Sequence, residues 1–286
     1  MVKRFSAAWA LISLPSVWLI LFFIVPVLLM GILSLRPDMR GGLLTFGWLP
    51  TLDHYRAVIE SSDYMNLLLI SAEMAFIVAL VGVILAYPLA YFLAFRAGKR
   101  SALYLTLLLL PFWTSYLLRI IAWKIILGSN GLINNLLLQL GLVQQSVSLV
   151  LYSRQAVILT LIYVWLPFVA LPIYAALQRI DRSLLEASAI LGAPPWFTFL
   201  RVTLPLSMPG VIAGFLMVFI PTIGEYVTPL LVGGSRGSMY GNIIQTFFGN
   251  GLNWPLGAAM ALIMLVGVLV LLGVVARLID IRRFLG

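Results

Sequence analysis

The chain has 286 residues, of which 63% are hydrophobic and 9% charged, and its mean hydropathy is +1.10. A soluble domain carries about 25% charged residues, so this chain lacks the polar surface that coats a soluble globule, and the same apolar excess excludes disorder. The net charge of +9 is spread in ones, twos and threes rather than in a basic run or stripe, which argues against nucleic acid, and with no cysteine there are no disulfides, thiolate catalysis or cysteine–metal sites.

A helix needs about 20 mainly apolar residues to cross a bilayer. Six stretches satisfy that, at 9–34, 64–95, 101–126, 154–177, 208–232 and 254–279. The expected fold is therefore an all-α membrane protein, with residues 1–286 forming a single transmembrane domain. The first stretch follows Lys3 and Arg4. It is longer than the core of a signal peptide and lacks a small-x-small cleavage site before Arg36-Pro37-Asp38, so it reads as a retained anchor.

An even number of spans puts both termini on one side. Placing them in the cytoplasm puts Lys3, Arg4, Arg96, Lys99, Arg100, Arg179, Arg182, Arg201, Arg277, Arg282 and Arg283 inside. Arg36, Arg40, Arg56, Arg154 and Arg236 then lie outside, together with the acidic group Asp38, Asp53, Glu60 and Asp63. That bias is the one expected of cytoplasmic loops. The outer stretches 36–62, 127–153 and 233–253 are too long for simple turns and either lie on the membrane surface or receive a partner. Gly233-Gly234-Ser235-Arg236-Gly237 lacks the Gly-Lys-Ser/Thr end of a phosphate loop and reads as a flexible turn.

The segment between spans four and five, residues 178–207, carries the clearest local grammar. Ser183 and Glu186 have capping-box spacing, which predicts a helix from Leu184. Gly192 falls where that helix closes in a left-handed residue. Pro195 opens a second short helix, and Pro205 is expected to stop it. The loop is also unusually apolar, with Leu184, Leu185, Ile190, Leu191, Trp196, Phe197 and Phe199 within sixteen residues. These side chains either pack against the protein's own spans or dock in a groove of a partner.

Ionisable groups inside a bilayer are functional candidates by default. Counted at ~1.5 Å per residue from the inner ends, Glu225 and Arg119 come to ~25 and ~27 Å, a comparable depth toward the outer side. They form either a structural ion pair or part of a path for a cationic solute. Pro221 and Gly224 interrupt the helix before Glu225, with Tyr226 next to it. In span three, Trp113, Tyr116, Arg119 and Trp123 recur at helical offsets and are expected to share one face, for packing, anchoring or contact with an amine. Glu73 is a weaker candidate, because no Pro or Gly closely precedes it. His54 is the single histidine, so no metal site is expected, and no catalytic or ATP-binding motif is present.

Glu186-Ala187-Ser188, Gly192 and Val202-Thr203-Leu204-Pro205 resemble the EAA loop of ATP-binding-cassette importer permeases, with Ser188 where that motif usually carries alanine. Residues 87–95, 111–125, 220–226 and 253–259 are similar to spermidine/putrescine-type permeases of bacterial inner membranes. The resemblance implies a type I importer fold in which the loop, through Ser183, Leu185, Glu186, Ala187, Ser188, Gly192, Leu204 and Pro205, couples to a cytoplasmic ATPase. It further implies a second permease subunit, two ATPase subunits holding ATP and Mg, an extracytoplasmic substrate-binding protein, and no cofactor on this chain. The rival outside this class is a membrane scaffold that transports nothing. Within the class, the solute is a polyamine or else an opine, an amino-acid derivative or an oxyanion.

Overall fold

The computed structural model describes residues 12–13, 15–38, 47–128, 130–141 and 151–278. Lys3, Arg4, Arg40, Arg282 and Arg283 lie outside the described residues. Among those residues there are helices and no strand, as an apolar medium demands of a chain that does not close into a barrel. Among the described residues, six helical stretches are long and apolar enough to cross a membrane, one of them, Tyr116–Gln139, made of two consecutive helices. The chain divides into two compact units, residues 1–66 with 243–279 and residues 67–242 with 280–286.

In the first unit, α1 (Pro15–Ser34) packs on α11 (Trp254–Leu278), as does the short α2 (Asp53–Glu60). The described part of the stretch after α1 folds back on the helix end. The Ser34 hydroxyl lies 2.6 Å from the Tyr55 hydroxyl, and His54 Nε2 lies 2.8 Å from the Arg36 carbonyl. Arg36 itself is buried, with its guanidinium over the Trp48 ring.

The second unit is organised by α7 (Arg154–Gln178) against α9 (Pro195–Ile223). Their backbones touch. A Cβ on Gly210 would stand 2.5 Å from the Pro172 carbonyl oxygen, and one on Gly214 3.0 Å from that of Val169. Small residues four apart permit this approach, and in lipid such close packing replaces the hydrophobic effect as the attraction between helices. The long α3 (Ser62–Phe95) lies against both, with Gly82 near Val169 and the Tyr87 hydroxyl 2.8 Å from that of Ser207.

Two span boundaries differ from the sequence expectation. The third span is not one helix over 101–126. It consists of α4 (Ser101–Leu109), a 3-10 turn (Leu110–Trp113), an extended Thr114-Ser115 and α5 (Tyr116–Leu127), followed by α6 (Leu132–Gln139). Pro111 supplies no N–H, and the Thr114 hydroxyl donates to the Pro111 carbonyl, which stabilises the interruption. The fifth span is displaced from 208–232 to Pro195–Ile223. Pro205 does not end a short helix. It sits in the first turn after a π-helical turn (Phe199–Thr203), where the wider register accommodates its ring, and the helix runs through. The glycine-rich 233–237 segment is a turn as expected, with Gly234 at φ +56°. The outer stretch 233–253 also contains a helix, α10 (Tyr240–Phe248).

Candidate functional site

The corner between α7 and α9 is built locally. The helix α8 (Arg182–Ile190) starts two residues before the expected Leu184, because Asp181 rather than Ser183 caps it, its Oδ1 accepting from the Ser183 amide at 2.9 Å. Aspartate is as good an N-cap as serine, and the earlier start removes Glu186 from capping-box register and leaves it exposed. Hydrogen bonds from Ser183 hold the exposed Asp181 carboxyl below the usual carboxylate range. Gly192 takes φ +77°, as predicted, with nothing within 4 Å of where a Cβ would stand. Pro195 opens α9 at its first turn.

Ser188, which departs from the usual alanine, is half-buried, and its hydroxyl lies 2.7 Å from that of Thr198. That bond ties α8 to the start of α9. Phe199 packs edge-on to Tyr87 and Tyr91. The other large side chains do not fold inward. Ile190 and Leu191 are each 85% exposed, and Leu184, Trp196 and Phe197 are exposed as well. A groove of about 510 Å³ lies among them, walled by Leu184, Ala187, Ser188, Leu191 and Phe197. Leu185, Leu204 and Val202 are half-buried, and Pro205 is exposed on α9. Apart from Phe199 and the half-buried Leu185, the alternative in which these apolar side chains pack against the protein's own spans is not what forms.

The second cluster is the break that follows α9. The helix ends at Ile223, and the Glu225 carboxylate reaches forward to accept from the Val227 and Thr228 amides, which open the next helical stretch, at 2.8 and 3.1 Å. Two helix-end donors, which apolar surroundings leave costly, are thereby satisfied. Tyr116 lies next to this turn, its hydroxyl 2.9 Å from that of Thr228, and is within electrostatic reach of both Glu225 and Arg119. Asn242 Nδ2 donates to the Tyr226 carbonyl at 2.8 Å. Gly241 sits so close that a Cβ there would stand 2.6 and 2.7 Å from the Gly224 and Glu225 carbonyl oxygens.

Glu225 and Arg119 form no ion pair. Arg119 is only 8% exposed, its guanidinium lies 5.8 and 5.9 Å from the Phe112 and Tyr116 rings, and its Nε has no hydrogen-bond partner. The carboxylate is occupied by backbone amides and the cation by aromatic faces. Glu225 is half-buried and Tyr226 exposed. Trp113 does not share the face of Tyr116 and Arg119, because extended backbone separates them, and it is 79% exposed. Trp123 packs on Tyr163. Glu73 is exposed on α3.

Sequence reasoning missed Thr198, Thr228, Gly241, Asn242 and the Gly210/Gly214 contact. The Gly-x-x-x-Gly spacing was a legible signal for the last. Thr198 meets Ser188 only ten residues away, while Thr228 and Asn242 meet partners 112 and 16 residues away, and no sequence pattern announces any of these pairings.

Residues 5–283 match the family model described as binding-protein-dependent transport system inner membrane component. The chain is 39% identical over 247 residues to the spermidine/putrescine transport system permease protein PotB of Escherichia coli (strain K12), covering 86% of this chain and 88% of that protein. It is 32% identical to the putative 2-aminoethylphosphonate transport system permease protein PhnU of Salmonella typhimurium (strain LT2), over 77% and 76% of the two chains. Among solved structures, a chain of a bacterial alginate ABC transporter superposes with a TM-score of 0.74 at 19% identity, covering 98% of both chains. A chain of the MetNI methionine ABC transporter gives 0.55 at 20% identity, over 76% of this chain and 97% of that one. The scaffold reading falls with these matches. With six apolar spans and a family match over nearly its whole length, the chain belongs to the inner-membrane permease components of binding-protein-dependent importers.

Proposed function

We propose that this permease passes polyamines or closely related small organic cations, and that the break at 224–228 is part of the path. The observation that carries the reading is Glu225, a half-exposed carboxylate at an interruption of a membrane-spanning helix. A charge placed there faces protein or water rather than lipid. A cation is its natural complement, and the exposed Tyr226 ring beside it suits an ammonium group. The identity to spermidine/putrescine permeases supports this reading.

The corner at 181–198 is the docking element for a cytoplasmic ATPase, which binds ATP and Mg, and this chain needs no cofactor of its own. Ile190, Leu191 and Trp196 are the surface that such a partner covers. The corner continues directly into α9, 29 residues or ~43 Å of helix. A displacement at the corner therefore travels along one rod to Gly224 and Glu225. The Ser188–Thr198 bond keeps α8 moving with that rod. A second permease subunit closes the path, and an extracytoplasmic binding protein delivers the solute.

Both termini and the corner are cytoplasmic in this reading. Single cysteines at Asp53 and Ser183 in the cysteine-free chain are expected to respond oppositely to a membrane-impermeant thiol reagent in intact cells. Labelling of Ser183→Cys from outside overturns the orientation.

The solute is tested with the reconstituted complex by uptake of labelled spermidine. Glu225→Gln keeps an oxygen that accepts from Val227 and Thr228 while removing the charge. The expected result is an assembled complex of unchanged melting temperature with impaired uptake, not rescued by adding Arg119→Gln. Normal uptake removes Glu225 from the path. A second reading, a solute that also bears an anionic group, is favoured by the buried Arg119 with its unpartnered Nε. Under that reading an aminophosphonate or amino acid outcompetes spermidine, and Arg119→Gln abolishes the competition.

A further inference from the structure

Among the described acidic residues, Asp63 lies in the first turn of α3, and only Glu73 and Glu225 fall deeper, well inside a span or at its interruption. Glu225 is partly satisfied by backbone amides. Glu73 is not near a helix end. It lies well inside α3, on a helix face open to the outside of the chain, where neighbouring Leu69, Phe76 and Leu80 are also exposed. Bare carboxylate on a lipid-facing surface is strongly unfavourable, so this face meets water or protein in the assembled transporter.

The position of that face relative to Glu225 follows from contacts within the second unit. α3 and α9 run antiparallel, as the Tyr87–Ser207 hydrogen bond and the Phe76–Phe215 ring contact at 5.6 Å together require. Phe215 in turn stacks on Phe219 at 5.7 Å, one turn closer to the break. Glu73 precedes Phe76 by one turn and shares its side of the helix. Along the two helices, Glu73 lies ~4.5 Å outward of the Phe76–Phe215 level and Glu225 ~15 Å outward of it. The two carboxylates are thus displaced by roughly 10 Å along the direction of transport. Ser71, near Glu73 in sequence, accepts from the Tyr240 amide at 2.8 Å, and the next residue, Gly241, is the one pressed against the Glu225 carbonyl. Ser71 is on the buried face of α3 and Glu73 on the exposed one, so this bond fixes the level of the helical segment that carries Glu73 relative to the break.

We infer that Glu73 is a second cation station of the transport path, about two helical turns inward of Glu225, with the Phe76 ring beside it. Two anionic stations in series select solutes that carry an ammonium group at each end. The first ammonium moves from Glu225 to Glu73 while the trailing one takes its place. A rim of exposed aromatic surface at Phe76 lets the apolar methylene chain between them pass. The inference rests on the reading of Glu225 as a path residue.

The test uses the whole reconstituted complex with its binding protein, and uptake of labelled spermidine (a triamine) and of the shorter putrescine (a diamine). Removing one charge-assisted contact is expected to lower spermidine uptake about tenfold in Glu73→Gln. Glu73→Asp, which keeps the charge, should restore most of it, and the melting temperature of the complex should stay unchanged. Putrescine, too short to engage both stations at once, should lose less. Equal loss for both solutes overturns the two-station reading, as does normal uptake by Glu73→Gln. A fall in melting temperature with dissociation of the second permease subunit also overturns it, assigning Glu73 to the contact between the subunits. Normal uptake by Glu225→Gln is a separate failure, that of the path itself, whereas impaired Glu225→Gln beside normal Glu73→Gln leaves the path standing and removes only the second station.

Discussion

The corner at 181–198 and the break at 224–228 sit at the two ends of one helix, and they are held together in different ways. At the corner, each determining contact joins residues within about a dozen positions: Asp181 to Ser183, Ser188 to Thr198, and Gly192 in its left-handed turn. Its apolar side chains remain outside. At the break, Thr228 meets Tyr116 across 112 positions, and Gly241 and Asn242 close on the backbone of 224–226 from another helix. A surface for a rigid partner can be assembled by local rules. A polar interruption in an apolar medium needs distant groups to satisfy it, because no water is available to do so.

The difference is broken most severely at Gly241. In Gly241→Ala the new Cβ meets two carbonyl oxygens rather than the end of a flexible side chain. Overpacking of this kind costs about 1–3 kcal/mol. The expected outcome is a markedly lower melting temperature of the purified complex and lost uptake, whereas the corner, far along the helix, still retains the ATPase subunit. Retained stability would mean that the break is looser than its contacts imply.

Gly192→Val should do the reverse. A Cβ there has open space, so its penalty is conformational, about 1–2 kcal/mol for a left-handed residue. The chain should insert normally yet lose the ATPase in co-purification and its ligand-stimulated hydrolysis. Wild-type coupling in this variant would detach the corner from the ATPase.

Ser188→Ala sharpens the comparison more gently. Losing the hydroxyl pair with Thr198 is worth about 0.5–1.5 kcal/mol. The expected result is a small drop in melting temperature and looser coupling, seen as hydrolysis that proceeds with less uptake per ATP, while the break is unaffected. Full coupling would mean that the rod α9 carries the motion without help from α8.

The smallest effect is expected at Asp181. Its folded-state pKa is lowered by the Ser183 hydrogen bonds, so the cap contributes fully above the ordinary carboxylate pKa and is lost as pH falls through the lowered value. Hydrogen exchange of the Ser183 amide should therefore deprotect in acid beyond its intrinsic pH dependence. In Asp181→Asn, which does not titrate, that extra deprotection should vanish. The Tyr116–Thr228 contact should not respond in either protein.

Much of the corner was legible because its residues act on their neighbours. The left-handed Gly192 and the opening Pro195 follow from φ preferences alone. The cap was displaced by two residues because Asp181 and Ser183 are both competent and only the folded backbone chooses. Pro205 misled for a related reason. A proline ends an ordinary helix, but a π-helical turn before it absorbed the missing donor. At the break, Pro221 and Gly224 announced an interruption, yet the Glu225–Arg119 pairing suggested by equal depth did not form, since backbone amides and aromatic rings reached each charge first.

The sequence by itself determined that the chain spans a membrane six times, that its spans are helical, and where its α8–α9 corner turns. Those follow from apolar length, from the demand that backbone groups be satisfied within each segment, and from local dihedral preference. Only the tertiary structure decided that the third span is broken at Thr114-Ser115, that the corner and the fifth span are one helix, and that Gly241 lies against the carbonyls of the break. The reason is physical: whether a proline ends a helix depends on how the folded backbone beside it relaxes, as the π-helical turn before Pro205 and the Thr114 bond to Pro111 show, and the approach of Gly241 to the break joins segments on separate helices and leaves no periodic trace in the chain.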